Sequence, residues 1–259
     1  GDDDLWVLEA DDYDRKFLAL QPTIALVTNI DAEHLDVYGS YQAIEAAFKQ
    51  FVRQIETDGH LVASNDSALD PIMTAANVPS TRYGKGTNFD PGTLPTLPII
   101  GDHMYLNAAG VVAAAVVFGI EREAAIKALT TFGGVGRRLE RVGERSSVLV
   151  YDDYGHHPTE VKATVRALKS KNPNRRLVVA FQPHQHSRVA ALFDEFTEAF
   201  GDADRLLLVE TWAVPGRNEG VQVDTKALAD AIAATGVDVE YMSTLEELAA
   251  RVENELQSG

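Results

Sequence analysis

The chain is 259 residues long, 45% hydrophobic, without cysteine, and carries a formal net charge of −16. That is long and apolar enough for two packed domains, and it sets aside disorder, disulfides and thiolate metal sites. So acidic a chain is a poor partner for nucleic acid, its longest apolar run (111–118) is far short of the about 20 residues that span a bilayer, and its acidic start is unlike a signal peptide; a cytoplasmic protein with no nucleic-acid or membrane partner is expected.

LWVLEA (5–10) reads as a strand, and TIALVTNI (23–30), rich in β-branched residues, as a second. Between Tyr41 and Ile55 the apolar residues Tyr41, Ile44, Phe48, Phe51, Val52 and Ile55 share one face of a helix. HLVAS (60–64) is a third strand. Strands alternating with helices imply βαβ units and a parallel sheet. DPGTLPTLP (90–98) is a connector, with three prolines and a glycine in nine residues. An Ala/Val-rich helix follows in residues 101–120 with Gly119 as its stop, then a second helix in 121–132. Glycines cluster near Gly136, where a boundary between two domains is expected. Beyond it a regular series begins: strand SSVLVYDDY, helix PTEVKATVRALKSK, strand RRLVVAFQ, helix VAALFDEFTEAF, strand DRLLLVET, helix DTKALADAIAAT, strand VDVEYM and helix LEELAARVENEL. Four consecutive strand–helix units predict a Rossmann-like domain.

In open parallel sheets ligands bind beyond the C-terminal ends of the strands. Three polar clusters, DDYGHH, QPHQHSR and ETWAVPGRNEG, sit at such ends here. Pro158 suits the first turn of a helix, which puts His156 and His157 at a helix N-terminus, beside a candidate anion site. The plain alternative is a surface turn with incidental histidines. Arg188 can fork onto a phosphate or carboxylate; His184 and His186 form an H-x-H pair, for which metal binding is the rival reading. Glu9 ends the first strand, and Glu33 and His34 follow the second. Carboxylates there suit Mg²⁺, which prefers oxygen ligands and keeps waters and substrate phosphates; solvated loops are the alternative, favoured for Asp2 to Asp4. No G-x-x-x-x-G-K-[ST] phosphate loop occurs, and YGKGTN around Lys85 has the wrong spacing.

EADDYD, VTNIDAEHLDVYGS, GVGRRLERVG, DDYGHHPTEVKAT and FQPHQHSR together resemble motifs of the Mur ligase family, in family order and over nearly the whole chain. DDYGHHPTE is the most specific, and resembles the branch that joins L-alanine to UDP-N-acetylmuramate. The resemblance implies an α/β protein: the later part of a central ATPase domain with a parallel sheet (1–136), then a C-terminal Rossmann-like ligase domain (137–259). A sugar-nucleotide domain and the phosphate loop are expected upstream, and the stretch from Tyr83 to Gly101 is short for the family, as if strands were missing. These residues alone are therefore expected not to turn over ATP.

The chemistry so implied belongs to peptidoglycan precursor synthesis. ATP phosphorylates the substrate carboxylate, and the amine of the amino acid attacks the acyl phosphate. By motif match Glu9 and His34 would bind Mg²⁺, Asn107 adenine, Arg138 the ATP phosphates and Asp153 the ribose. His156, His184 and Arg188 would be the catalytic group facing UDP-N-acetylmuramate and L-alanine. Three differences stand out. The family's H-N-x-x-N reads His103-Met104-Tyr105-Leu106-Asn107, so Met104 gives adenine no hydrogen bond. Gln185 replaces an arginine, and WAVPGRNEG departs from Y-x-A-G-E near the amino-acid site. Lys49 lies where other branches carry a carbamylated lysine, a role not carried over here. The alternatives are the sister ligase that adds a preformed tripeptide, and a non-catalytic nucleotide-binding module.

Overall fold

A computed structural model describes residues 5–214 and 220–257. Contacts divide the chain into two compact units, Gly1–Leu97 with Met104–Phe132 and Pro98–His103 with Gly133–Gly259. The acidic residues Asp2 to Asp4 and part of WAVPGRNEG (215–219) lie outside the described residues.

The first unit holds a parallel sheet, β1 (Ile24–Val27), β2 (His60–Ser64) and β3 (Ser80–Tyr83), in that order. Ile24 is in register with His60, and Leu61 with Ser80. Its helices are α1 (Leu35–Tyr38), α2 (Tyr41–Arg53), α3 (Asp70–Ala75), α4 (Asp102–Phe118, in this unit from Met104) and α5 (Arg122–Thr130). Ser40 caps α2 by accepting from the Ala43 N–H at 3.2 Å. The apolar face of α2 buries Ile44, Phe51 and Val52 with Phe17, Leu61 and Ile72. Gly110 interrupts an Ala/Val-rich helix for a packing reason: a Cβ there would stand 2.8 Å from the ring of the fully buried Tyr83. α4 ends where expected, at Gly119 with φ +100°.

Residues 5–10 are a correction, for they form no strand. Trp6 is 80% and Val7 90% exposed. An apolar run reports side chains only; a strand also needs a ladder partner, and no described strand pairs with this one. β3 was not foreseen, because Ser80-Thr81-Arg82-Tyr83 carries a single large apolar side chain.

In the second unit β4 (Glu140–Arg145) and β5 (Val148–Asp152) form an antiparallel hairpin. Its turn is Ser146-Ser147, both at positive φ (50° and 65°), which gives the twist a two-residue hairpin requires. Then follow α6 (Pro158–Lys171), β6 (Val178–Phe181), α7 (His186–Ala191), α8 (Phe193–Thr197), β7 (Arg205–Val209), α9 (Thr225–Ala234), β8 (Asp238–Met242) and α10 (Leu245–Gln257). β6, β7 and β8 make a parallel sheet in that order, with β7 central. Leu206, Leu207 and Leu208 of β7 are fully buried, as expected of a strand covered on both faces. The four equivalent strand–helix units thus resolve into three parallel strands, while β5 pairs with β4 instead. VAALFDEFTEAF is likewise not one helix: the backbone leaves the helical region at Leu192 (φ −122°, ψ 31°), whose side chain is buried in the core. Among the described residues no helix is long and apolar enough to cross a membrane.

Candidate functional site

The histidine doublet stands where β5 hands over to α6, and the handover separates its two members. His157 takes the N-cap position in an extended conformation (φ −97°, ψ 143°), and Pro158 occupies the first turn. The His157 ring accepts from the Thr159 N–H at 3.4 Å, and the Glu160 carboxylate accepts from the His157 N–H at 3.3 Å, completing a capping box. His157 is only 5% exposed. The side chain of His156 remains 24% exposed, its Nδ1 lying 3.1 Å from the Tyr154 carbonyl and 3.7 Å from Glu160 Oε2. Glu160 Oε2 also accepts from the His156 N–H at 3.1 Å. The N–H groups expected to receive an anion are therefore partly spent on an internal carboxylate, and cationic side chains supply the attraction instead.

Those side chains come from the segment before β4. Arg137 lies over the Tyr154 ring at 4.9 Å and Arg138 at 5.7 Å, and Arg138 donates to Glu160 Oε1 at 3.2 Å. Burial pushes the Glu160 carboxyl up, but the His156 N–H and charge, the His157 N–H and Arg138 outweigh it and hold the group below its ordinary value. The backbone of Arg137 (φ 57°) and Leu139 (φ 48°) is left-handed, a costly conformation for such residues. At Arg137 the N–H donates to Glu140 Oε2 at 2.8 Å and the carbonyl accepts from the Tyr154 N–H at 2.7 Å; Leu139 is held by Asp153. Its carboxylate accepts from the Leu139 N–H (2.8 Å), the Gly155 N–H (2.9 Å) and the Thr164 hydroxyl (3.1 Å). Three of its roughly four acceptor sites are thus used internally.

At the end of β6, His184 bridges to Trp212 and meets its ring edge-on at 5.1 Å. Burial, with the charges of His156, Arg188 and Arg137, holds the His184 pKa below its ordinary value, so the imidazole is neutral at pH 7. His156, Arg188 and Arg137 therefore lie within electrostatic reach of His184. His186 is separate: it is buried, and its Nδ1 accepts from the Val223 N–H at 3.3 Å, a structural use.

The first unit carries its own cluster beyond β1. His34, at φ 53°, precedes α1 with Nε2 3.4 Å from Asp12 Oδ1 and Nδ1 3.8 Å from Glu33 Oε1. Its ring meets Tyr13 edge-on at 5.1 Å. Glu9 is exposed and makes no hydrogen bond or ion pair with another described residue, so it is not joined to His34. Asn107 is exposed on α4, and Lys49 pairs with Glu45 within α2. Among the described residues no three His, Asp or Glu side chains gather closely enough to cage a metal ion. Asp12 and Glu33 beside His34 are the carboxylates gathered here, and Mg²⁺ takes one or two protein carboxylates and completes its shell with water and phosphate.

Reading the sequence placed Tyr154 and Trp212 in strand-end clusters but missed Glu160 and Arg137 as their partners. The signal for Glu160 was its place three residues after the N-cap; it was obscured because histidine stands where serine or threonine is usual.

Residues 2–115 match the Mur ligase middle domain, and residues 137–259 the Mur ligase, glutamate ligase domain. The chain is 36% identical over 293 residues to a UDP-N-acetylmuramate–L-alanine ligase of Nitrosomonas europaea, covering 100% of this chain and 62% of that protein. The same-named protein of Oleidesulfovibrio alaskensis is 34% identical over 287 residues, with the same coverage. The chain therefore spans 62% of the length of these curated relatives. Among solved structures, a UDP-N-acetylmuramate–alanine ligase from Thermotoga maritima superposes with a TM-score of 0.69 at 24% identity, covering 90% of this chain and 54% of that one. MurF from Acinetobacter baumannii gives 0.74 at 20% identity, covering 95% and 56%. These structures share the fold.

Proposed function

The chain belongs to the Mur ligase family, and we propose that its activity is the ATP-dependent joining of L-alanine to UDP-N-acetylmuramate in peptidoglycan precursor synthesis, in the cytoplasm. Residues 1–136 would serve ATP binding and 137–259 the ligation itself. The observation that carries this reading is the stacking of Arg137 and Arg138 over Tyr154, at 4.9 and 5.7 Å, with His156 against the same ring at 5.1 Å, in a chain of net charge −16. A cationic patch in an acidic protein marks a local anion site, and the anions here would be a carboxylate and the phosphoryl oxygens transferred to it.

In such a ligation a carboxylate oxygen takes the γ-phosphoryl group and ADP leaves. The amine nitrogen then bonds to the carbonyl carbon, phosphate departs with the C–O electron pair, and the nitrogen loses a proton. Negative charge builds on phosphoryl and acyl oxygens, where Arg188 and His156 would act as fixed donors. His184, neutral at pH 7, would accept a hydrogen bond or proton from the incoming amine. Arg138 would reach the ATP phosphates, Asn107 the adenine, and Asp153 the ribose through its remaining acceptor site. Glu9 and His34 would hold Mg²⁺, which when bound supplies positive charge to the phosphates.

The test is ligation by protein carrying this chain, supplied with UDP-N-acetylmuramate, Mg-ATP and L-alanine. The expected product is heavier by one alanyl residue, with one ADP released per product. Coupling to a preformed tripeptide but not to L-alanine would favour the sister ligase. ADP release uncoupled from either amine would overturn the ligase reading.

A further inference from the structure

Glu210 follows β7, one residue before Thr211 and two before Trp212, and its carboxylate accepts three hydrogen bonds. The donors are the Thr211 N–H at 2.9 Å, the Tyr241 hydroxyl at 2.6 Å and the Thr225 hydroxyl. Thr225 begins α9 and is fully buried; its hydroxyl also meets that of Thr211 at 2.7 Å. One carboxylate therefore ties the end of β7, the start of α9 and β8 into a single knot. Burial pushes its pKa up, but the Thr225 and Tyr241 hydroxyls, the Thr211 N–H and His186 outweigh it, so Glu210 stays ionised at neutral pH. Tyr241, its pKa pushed up to about 12 chiefly by that bond to Glu210, remains a donor.

Directly beyond the knot, the backbone N–H of Trp212 donates to the Pro183 carbonyl at 2.8 Å and its backbone carbonyl accepts from the Gln185 N–H at 3.0 Å. These bonds hold an aromatic ring that is 50% exposed against His184. The core does not need a half-exposed tryptophan; its fixed place beside His184 is what a ligand-facing aromatic requires. The His186 bond to the Val223 N–H fastens the approach to α9 from the other side.

We propose that Glu210 is a positioning residue of the candidate site, fixing Trp212 against His184 by knotting β7 to α9. It touches no reacting atom and acts through Trp212. The importance of that position rests on the reading of His184 and its neighbours as ligand-facing; the tether itself does not.

The test uses the two tryptophans. Trp6→Phe leaves Trp212 as the sole tryptophan, excited selectively on the red edge of the absorption band. Protonation of His184, which faces the charges of His156, Arg188 and Arg137, should quench Trp212 emission as pH falls below about 6.5. His184→Gln should abolish that step. On this background Glu210→Ala and Thr225→Val should free Trp212, shrinking the docked population about ten-fold, removing the step and raising acrylamide quenching. Thr225→Ser, which keeps the hydroxyl, should restore both readouts. If Glu210→Ala does not fold, the Thr225→Val and Thr225→Ser pair decides. The proposal is overturned if folded Glu210→Ala or Thr225→Val protein keeps the full pH step, or if the Trp6→Phe protein has no step that depends on His184. A separate outcome, Trp212→Ala with unchanged KM for the amino acid, would sink the ligand-facing reading and leave the tether standing.

Discussion

Replacing Asp153 by alanine removes the acceptor for the Leu139 N–H, the Gly155 N–H and the Thr164 hydroxyl at once. A hydrogen bond to a charged group contributes about 1.5–3 kcal/mol and a neutral one about 0.5–1.5 kcal/mol net. Asp153 is half-buried, so water replaces part of what is lost, and about 1 kcal/mol per bond, or about 3 kcal/mol in all, is the expected cost. Asp153→Asn keeps one acceptor oxygen but turns an amide N–H toward at least one donor, so it should lose about half as much. The assay is urea unfolding on the Trp6→Phe background. Trp212 then reports the second unit alone, which matters because two units need not unfold together. A loss below about 1 kcal/mol for Asp153→Ala, with an unchanged slope, would mean that the left-handed backbone at Leu139 is held by something else.

In full-length protein carrying this chain, tested for the proposed ligation, the histidine doublet should separate by readout: His156→Ala should lower kcat about 10²- to 10⁴-fold with little change in melting, and His157→Ala should lose about 1 kcal/mol of stability with its cap. Wild-type kcat in His156→Ala would show both members of the doublet to be structural. Glu9→Ala and His34→Ala should each raise the Mg²⁺ concentration needed for half-maximal turnover, and two unchanged Mg²⁺ titrations would remove them from the metal site. Because the folded pKa of Glu160 lies below the ordinary 4.5, its stabilisation is present above that pH and lost as pH falls through the folded value. Glu160→Gln should therefore flatten the acid side of the stability–pH curve below about 4.5, measured by unfolding at fixed pH values; parallel curves for the two proteins would refute the assignment.

Strong periodicity made some elements readable from sequence. α2 follows the spacing of Ile44, Phe51 and Val52, and α6 starts at Pro158 as its cap pattern requires. The failures have one cause, namely that pairing and packing partners are not written locally. Leu5 to Leu8 look like a strand but find no ladder, and β3 looks polar but is paired by β2. β5 was assigned to the parallel sheet because the turn at Ser146-Ser147 lacks the Asn-Gly or Asp-Gly signature of a hairpin. At the site, the strand-end clusters were legible as clusters. Which histidine faces inward, and which carboxylates serve as tethers, depended on distances between residues far apart in sequence, such as Glu210 with Thr225 and Tyr241, or Asp153 with Leu139.

The Glu160 carboxylate both caps α6 and meets Arg138 and His156. An engineer varying this stretch would thus find few neutral routes through it. Apart from glutamine, which keeps an acceptor for the cap, exchanges at Glu160 that retune the charge around His156 also fray the helix beneath it, so activity and the amount of folded protein would move together in a library screen. Compensation would have to come from elsewhere in the unit, for instance from a stabilising change in the α9 core around Leu228, before the site became free to vary.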